Sequence, residues 1–516
     1  MSTDPNHQLS QNDVFELVLE YLANKGFSET EAVLKKEVSQ VKSTASSSPS
    51  KKPISSGSRL EDLLEKSYVT ELASGVFIPK KNTRTHLDAV LPVADDVAAI
   101  RLDEASDVIS DEEAMKKMAI ETQIIAFNPC ENDPYGSSCM PIYQTATFKQ
   151  PSADSFGEYD YTRSGNPTRD ALQKQIAQLE SGASGVRAFC FTTGMAALSA
   201  VTRLAAAGDE IIVNDDSYGG TYRLMSKVAA RQGIKVKYVN MAGKAGPANL
   251  EAAISPITKL VMIESPTNPM QRICNIRSLA NICHANGHPA GTLLSIDNTM
   301  MSPILSRPLD HGADIVMHSA TKFMCGHSDT MAGAVIVRDL REGEKSLAEA
   351  LYFYQNAEGT ALAPFDCWLV SRGIKTMALR VNQQQINAVK VAAWLEAFPL
   401  VTKVYYAGLQ SHQDNDIHMT QASGGGSVVC FLTNNIELSK HVVTVTKLFK
   451  ITVSFGSVTS LISLPGKMSH ASIPSDVRSA REFPEDLVRM SIGIESLDDL
   501  INDLQAAFAS FGKAAV

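Results

Sequence analysis

From about residue 186 onward, short apolar runs stop abruptly at polar residues, and stretches of helical periodicity separate them. Val186 to Phe191 is such a run and reads as a buried strand. It is followed by the turn Thr192-Thr193-Gly194-Met195 and a small-residue helix over Ala196 to Leu204. Glu210 to Val213 and Lys259 to Ile263 are further strands; Tyr218 follows the first, and Glu264 to Pro269 follows the second. Leu293 to Ile296 ends in Asp297, and Ile315 to Met317 ends in Ser319, Thr321 and Lys322. Strands alternating with helices call for an α/β fold with a mostly parallel sheet and helices on both faces. Further on, Arg372 to Trp394 predicts one long helix and Val428 to Leu432 a strand. Ser496 is placed to cap a closing helix that runs to about Phe511, so a second, smaller α/β domain is expected.

Upstream of the first strand, Asp170 to Leu179 has helical periodicity. Pro141 to Thr145 reads as an extended arm and Ile120 to Phe127 as helical or extended. The first part of the chain is organised differently. Val14, Leu17, Val18, Tyr21 and Leu22 fall on one side of a helix that Gly26-Phe27 stops, and Ala32, Val33 and Leu34 mark a second helix. Two short helices cannot bury their apolar stripes alone, so pairing with a copy of themselves is the physical expectation. A Ser/Pro/Lys-rich stretch over 41–57 reads as a flexible linker, and Leu60, Leu63, Leu64, Tyr68 and Leu72 lie on one face of an amphipathic helix. The expected organisation is a helical hairpin over 8–38, a linker with one amphipathic helix over 39–115, an arm over 116–175, a large domain over 176–372 and a small domain over 373–516.

Composition narrows the class. The 516 residues exceed one ordinary domain, and 44% apolar with 20% charged residues is globular. A net charge of −9 argues against nucleic acid and against anionic membranes. No apolar run approaches a membrane span. Cys130, Cys139, Cys190, Cys274, Cys283, Cys325, Cys367 and Cys430 are scattered without a CxxC pair, which favours reduced thiols over a disulfide framework and gives no metal site. The acidic N-terminus makes a poor signal or transit peptide, so a cytoplasmic protein is expected.

The chemistry collects at predicted strand ends, where open α/β sheets bind ligands. Each residue alone has an ordinary reading: an acid at a strand end caps a turn, and a lysine is a surface charge. Together they suit pyridoxal 5′-phosphate (PLP), which takes a lysine and an acid for its pyridinium nitrogen. Gly194 and Met195 put amides at a helix N-terminus, a ready anion site. Tyr218 can stack on a flat ring, and the fork of Arg163, beside Tyr161, matches phosphate oxygens. The glycine run in GGGSVVCF lacks a following lysine and helix and reads as a loop.

YTRSGNPTRDALQKQIAQLESG, TTGMAAL, DSYGGTYRL, ESPTNP, SIDNT, HSATKF with GHSD, and RMSIGIES resemble the Cys/Met-metabolism PLP enzymes, the cystathionine γ-synthase-like branch of fold-type I. The likeness runs from about residue 120 to the C-terminus. It implies Lys322 as the Schiff-base lysine and Asp297 as the pyridinium partner. Gly194, Met195, Ser319 and Thr321 would hold phosphate, and Tyr218 would stack on the ring. Asn268 would lie near the ring hydroxyl and substrate carboxylate, and Arg489, helped by Ser454, would clamp that carboxylate. Lys322 and Tyr218 are the implied catalytic groups. Tyr161 and Arg163 would reach the phosphate of a neighbouring subunit, so a homo-oligomer, at least a dimer and usually a tetramer, is implied. YFYQNAEGTALAPFDCWLVSRGIKTMALR and SFGSVTSLIS resemble the β-eliminating members of the plant type. Ser457 and Thr459 stand where many γ-synthases and γ-lyases have Gly and Glu. The implied activity is β-elimination of L-cystathionine to homocysteine, pyruvate and ammonia. γ-Synthase or γ-lyase chemistry is the alternative, and a scaffold that no longer turns over is a third reading. LVLEYLANKGFSETEAVLKKE resembles a LisH motif, a dimerising hairpin, so further self-association through residues 8–38 is expected.

Overall fold

Alternating strands and helices build one seven-stranded sheet, and the exception to its parallel order carries the lysine turn. The computed structural model describes residues 118–129, 133–183, 185–338, 346–471, 474–481 and 483–512. The hairpin and linker expected over 8–115 lie outside the described residues. The chain starts with α1 (Ile120–Ala126) and, after an extended arm, α2 (Pro167–Glu180). Asn166 caps α2 by accepting from the Thr168 N–H, and Pro167 fits the first turn, where no donor is needed. Then come β1 (Val186–Phe191), α3 (Gly194–Thr202), β2 (Glu210–Asn214), α4 (Gly219–Lys227), β3 (Lys235–Val239), α5 (Gly246–Ala253) and β4 (Thr258–Glu264). They are followed by α6 (Ile276–Ala285), β5 (Leu293–Asp297), the one-turn α7 (Ser302–Leu305), β6 (Ile315–His318) and β7 (Gly333–Arg338).

The sheet order is β1-β7-β6-β5-β4-β2-β3. The pairs β6–β5, β5–β4, β4–β2 and β2–β3 are parallel, whereas β7 runs antiparallel to both β6 and β1. Residues 319–332 never cross the sheet; they turn back at the edge where β6 ends, so the next strand must run the other way. The consequence is functional. The carboxyl ends of β1, β2, β4, β5 and β6 all open on one edge, and the 319–332 turn sits on it.

α8 (Leu347–Ala357) and α9 (Pro364–Ile374) lead to α10 (Met377–Glu396). The single helix expected from Arg372 to Trp394 is therefore two, broken at Lys375-Thr376. At the end of α9 the Gly373 carbonyl accepts the Thr376 N–H in a tight turn and also side-chain donors from Thr376 and Arg380. A second sheet, ordered β10-β11-β12-β9-β8, is made by β8 (Lys403–Tyr405), β9 (Val428–Leu432), β10 (Lys450–Ile451), β11 (Leu461–Ser463) and β12 (Val488–Ser491). Its core joins Val429, Phe431, Val488 and Met490 to the last long helix, Leu497–Ser510, through Leu500, Leu504 and Phe508. Ser496 precedes that helix, but its side chain makes no cap bond; Asp498 and Asp499 in the first turn supply the negative charge that a helix N-terminus favours.

Candidate active site

Asp297 is the last residue of β5 and lies in register with Glu264, the last residue of β4. Two carboxyls side by side in a buried place cannot both ionise cheaply. Burial raises both, and Glu264 rises further because of the Asp297 charge. Asp297 has the compensation: its Oδ1 accepts from the Thr299 N–H at 3.0 Å and from the Thr299 hydroxyl at 2.5 Å. Glu264 instead accepts the Tyr218 N–H at 2.7 Å. Asp297 is therefore the member that ionises, and its Oδ2 has no donor among the described residues. The same Thr299 hydroxyl accepts the Ser319 N–H at 2.8 Å, which ties the acid to the turn carrying Lys322.

Ser319 adjoins the N-terminus of α3. A Cβ on Gly194 would stand 2.9 Å from Ser319 Cβ and Oγ, so the two segments meet only because residue 194 is glycine. Thr193 caps α3 by accepting from the Ala196 N–H at 2.9 Å, and no described acceptor takes the Gly194 or Met195 N–H. Tyr218 lies alongside: a Cβ on Gly220 would meet its ring at 2.3 Å and Met195 Sδ at 2.9 Å. The Thr321 hydroxyl is already engaged, accepting from the Ala332 N–H at 2.9 Å and facing the Ala332 carbonyl at 3.2 Å.

Lys322 Nζ donates to Ser454 Oγ at 2.5 Å and lies 5.1 Å from the centre of the Phe455 ring. Burial, and then the nearby Arg489 charge, bring its amine down to about 8. Arg489, on β12, is buried. Its guanidinium donates to Asn268 Oδ1 at 2.9 Å, to the Val453 carbonyl at 3.0 Å and to the Ser454 carbonyl at 3.4 Å. No carboxylate pairs with it among the described residues. An arginine held by neutral acceptors retains its affinity for an incoming carboxylate.

Tyr161 and Arg163 stand apart from this cluster within one chain. Arg163 donates to the Asn356 carbonyl and Oδ1, both at 3.0 Å, and its guanidinium lies 5.4 Å over the Tyr161 ring. The other nominated residues, Gly194, Met195, Tyr218, Asn268, Asp297, Ser319, Thr321, Lys322, Ser454 and Arg489, gather on the carboxyl edge of the large sheet and the facing side of the small domain.

Sequence reasoning missed several groups. Thr299 links acid and turn, yet SIDNT gave only the acid. Glu264, which the apolar pattern places just past its strand, is the last residue of β4. His470 is buried; its Nε2 faces the Asn268 carbonyl at 3.1 Å and must therefore donate. Its ring meets the Tyr218 ring edge-on at 6.4 Å. Burial, with the Arg489 charge added, holds that imidazole down to about 3, so it is neutral at any working pH. No spacing in the sequence signals these contacts.

The residues present fit pyridoxal phosphate. An ionised acid has one oxygen without a donor, a lysine amine is poised near 8, and amides at a helix N-terminus face a serine turn. With the amine lowered to about 8, uptake of PLP by the cofactor-free protein should rise with pH through a midpoint near 8, because only the neutral amine attacks. Visible absorbance followed after PLP addition at a series of pH values measures this; a midpoint near the ordinary lysine value of 10.5 would contradict the burial of Lys322.

Comparisons with known proteins converge on the same chemistry. Residues 121–509 match the family model described as Cys/Met metabolism PLP-dependent enzyme. The chain is 58% identical over 379 residues to the chloroplastic cystathionine β-lyase of Arabidopsis thaliana, covering 73% of this chain and 78% of that protein. It is 44% identical over 401 residues to the cystathionine β-lyase of Neurospora crassa, covering 78% and 84%. The fold is similar to a crystal structure of cystathionine γ-lyase from Lactobacillus plantarum complexed with L-serine. That match has a TM-score of 0.71 and 38% identity, and covers 76% of this chain and 99% of that one.

Proposed function

The chain belongs to the Cys/Met metabolism PLP-dependent enzyme family, and from that premise we propose that it catalyses β-elimination of L-cystathionine to homocysteine, pyruvate and ammonia. Its relatives at 58% and 44% identity are cystathionine β-lyases, and the fold is the fold-type I scaffold of PLP enzymes. The observation that carries the elimination reading is at Ser454. Its hydroxyl takes Lys322 Nζ at 2.5 Å while its carbonyl faces Arg489 Nη2 at 3.4 Å, so one residue holds a base beside an anchor for a substrate α-carboxylate.

When bound, PLP supplies an electron sink for the negative charge left at Cα. Lys322 would carry it, Asp297 would face its ring nitrogen, and Tyr218 would cover its ring. The Gly194 and Met195 amides with Ser319 would face its phosphate, Thr321 supporting that turn through Ala332. Arg489, with Asn268, holds the substrate carboxylate and thereby orients the Cα proton. The Lys322 amine, at about 8, is neutral often enough at physiological pH to remove that proton. Ser454 keeps Nζ in place, and Tyr218 or the newly protonated Lys322 returns a proton to the leaving sulfur. Water then converts the three-carbon fragment to pyruvate and ammonia. Removing one proton, from Cα, is enough for this reaction, whereas γ-elimination needs a second one taken from Cβ. No acid stands at Ser457 or Thr459 to change the charge there. The nearby Glu495 is consumed by the Ser460 N–H and hydroxyl at 2.7 and 2.9 Å.

Arg489→Ala should raise KM for L-cystathionine by about 10²–10³-fold with a smaller fall in kcat, as expected when one side of a buried charge pair is lost. Initial rates over a substrate series measure it, and an unchanged KM would remove Arg489 from substrate capture. Product analysis tests the reaction itself: pyruvate with homocysteine supports β-elimination, and 2-oxobutyrate with cysteine transfers the site to γ-elimination.

A homo-oligomer is part of the proposal. Its support is the exposure of Ile142, Tyr143, Phe156 and Tyr161 along the arm and of Phe353, Phe365 and Leu379 beyond it. Arg163 and Tyr161 would then serve the phosphate of a neighbouring copy, and residues 8–38 would add self-association. The seven described cysteines are free, which supports a reducing, cytoplasm-like compartment. Among the described residues no helix is long and apolar enough to cross a membrane.

A further inference from the structure

Arg380 lies on α10, outside the site described above, and is buried. Among the described residues it pairs with no carboxylate. All its contacts are neutral: Nη1 donates to the Phe323 carbonyl at 2.9 Å, and Nη2 to the Met324 carbonyl at 3.2 Å and the Gly373 carbonyl at 2.8 Å. Nε donates to Thr376 Oγ1 at 3.1 Å. A buried cation without a counter-charge is expensive, so its persistence calls for something that a plain apolar side chain would not supply.

What it touches supplies the reason. Phe323 and Met324 are the two residues after Lys322, and no backbone N–H of the turn takes their carbonyls. The Ser319 carbonyl is taken by the Lys322 N–H, that of Ala320 by the Cys325 N–H and that of Lys322 by the Gly326 N–H. His327 Nδ1 stands 2.6 Å from the Cys325 carbonyl, and the Val458 N–H takes that of Gly326. Of the three that remain, that of Thr321 has no donor among the described residues, and those of Phe323 and Met324 point into the guanidinium. Its other donors hold Gly373 and Thr376, at the break between α9 and α10. One planar fork thus joins the lysine turn to a rigid helix junction. Gly326 completes the fit: its φ is +78°, and a Cβ there would stand 1.9 Å from Arg380 Nη1.

We propose that Arg380 is a positioning residue for Lys322, its guanidinium fixing the turn Ser319–Gly326 against the end of α9 and so setting where Nζ stands. The proposal rests on the reading of Lys322 as the cofactor-bearing base. A lysine at 380 carries the charge but cannot span both carbonyl pairs. Gly326→Ala displaces the fork from the opposite side without altering it.

The test uses the full-length, PLP-loaded protein with Arg380→Lys and Gly326→Ala. Each variant should lower kcat for L-cystathionine by about 10–10²-fold, the scale of a sub-ångström to one-ångström misplacement, with KM within about threefold. Each should move the acid limb of the rate profile to higher pH, because a loosened lysine is better hydrated and holds its proton longer. PLP should also be lost faster on gel filtration. Folded variants with wild-type kcat and acid limb, whatever their Tm, would overturn the proposal. Should Gly326→Ala not fold, Arg380→Lys carries the test, since it strands only part of the bonds. Failure of the underlying reading looks different: the wild-type protein itself would then show no visible PLP band that Lys322→Ala lacks.

Discussion

Lys322→Ala is expected to lower kcat with L-cystathionine by at least about 10⁴-fold while the protein stays folded. One atom has two tasks here. Nζ would hold the cofactor and then, freed, take the Cα proton, so its removal takes away attachment and base together. The structural cost is small by comparison. The side chain makes one hydrogen bond, to Ser454, and its amine stands over the Phe455 ring. Losing these removes roughly 1–2 kcal/mol, well inside the usual stability of a domain. Lys322→Arg separates charge from basicity: the guanidinium stays protonated at any working pH and should restore nothing. Steady-state rates beside thermal melts check this; substantial turnover by either folded variant would end the assignment.

Asp297→Asn should cost about 10²–10³-fold in kcat, the scale of removing one aimed electrostatic group. The carboxamide keeps the shape and still accepts from Thr299, but it cannot hold a proton on the ring nitrogen by charge. Stability should move the opposite way. Burial raises the Asp297 carboxyl above its ordinary value, so the folded chain binds its proton more tightly than the unfolded chain. Stability is then lost as pH rises from the ordinary carboxyl value through the raised one, and at neutral pH the ionised group is a cost. An uncharged asparagine removes that cost. The cofactor-free variant should therefore melt at or above the wild-type temperature at pH 7 while its loaded form has lost most activity. A lower Tm combined with full activity would contradict both halves of the argument.

The sequence made the strand ends legible because apolar runs stop where the sheet stops. Asp297 directly ends one buried run, Ser319 and Lys322 lie in the short polar stretch past the next, and Tyr218 and Asn268 fall in the polar stretches that follow two others. Groups that act across long separations were harder to see. The resemblance implies Ser454 only as a helper of Arg489, yet its hydroxyl holds Lys322, 132 residues away. Glu264 and His470 carry no spacing signal at all. The same limit explains the two misread elements. Lys375-Thr376 looks helical by composition, but Arg380 and Thr376 satisfy the Gly373 carbonyl and let the chain stop and restart. Ser496 has the right identity for a cap, but its side chain makes no cap bond. The reversed direction of β7 follows from a turn that stays at one edge, which apolar patterning cannot encode.

The most direct test of the account is the location of the cofactor. The full-length protein, loaded with PLP and reduced with borohydride, should lose its visible band. After digestion it should yield one phosphopyridoxyl-modified peptide, carrying the group on Lys322. A label on a different lysine, or no label on a folded and loaded protein, would contradict the account and detach Asp297, Ser454 and Arg489 from the roles derived for them.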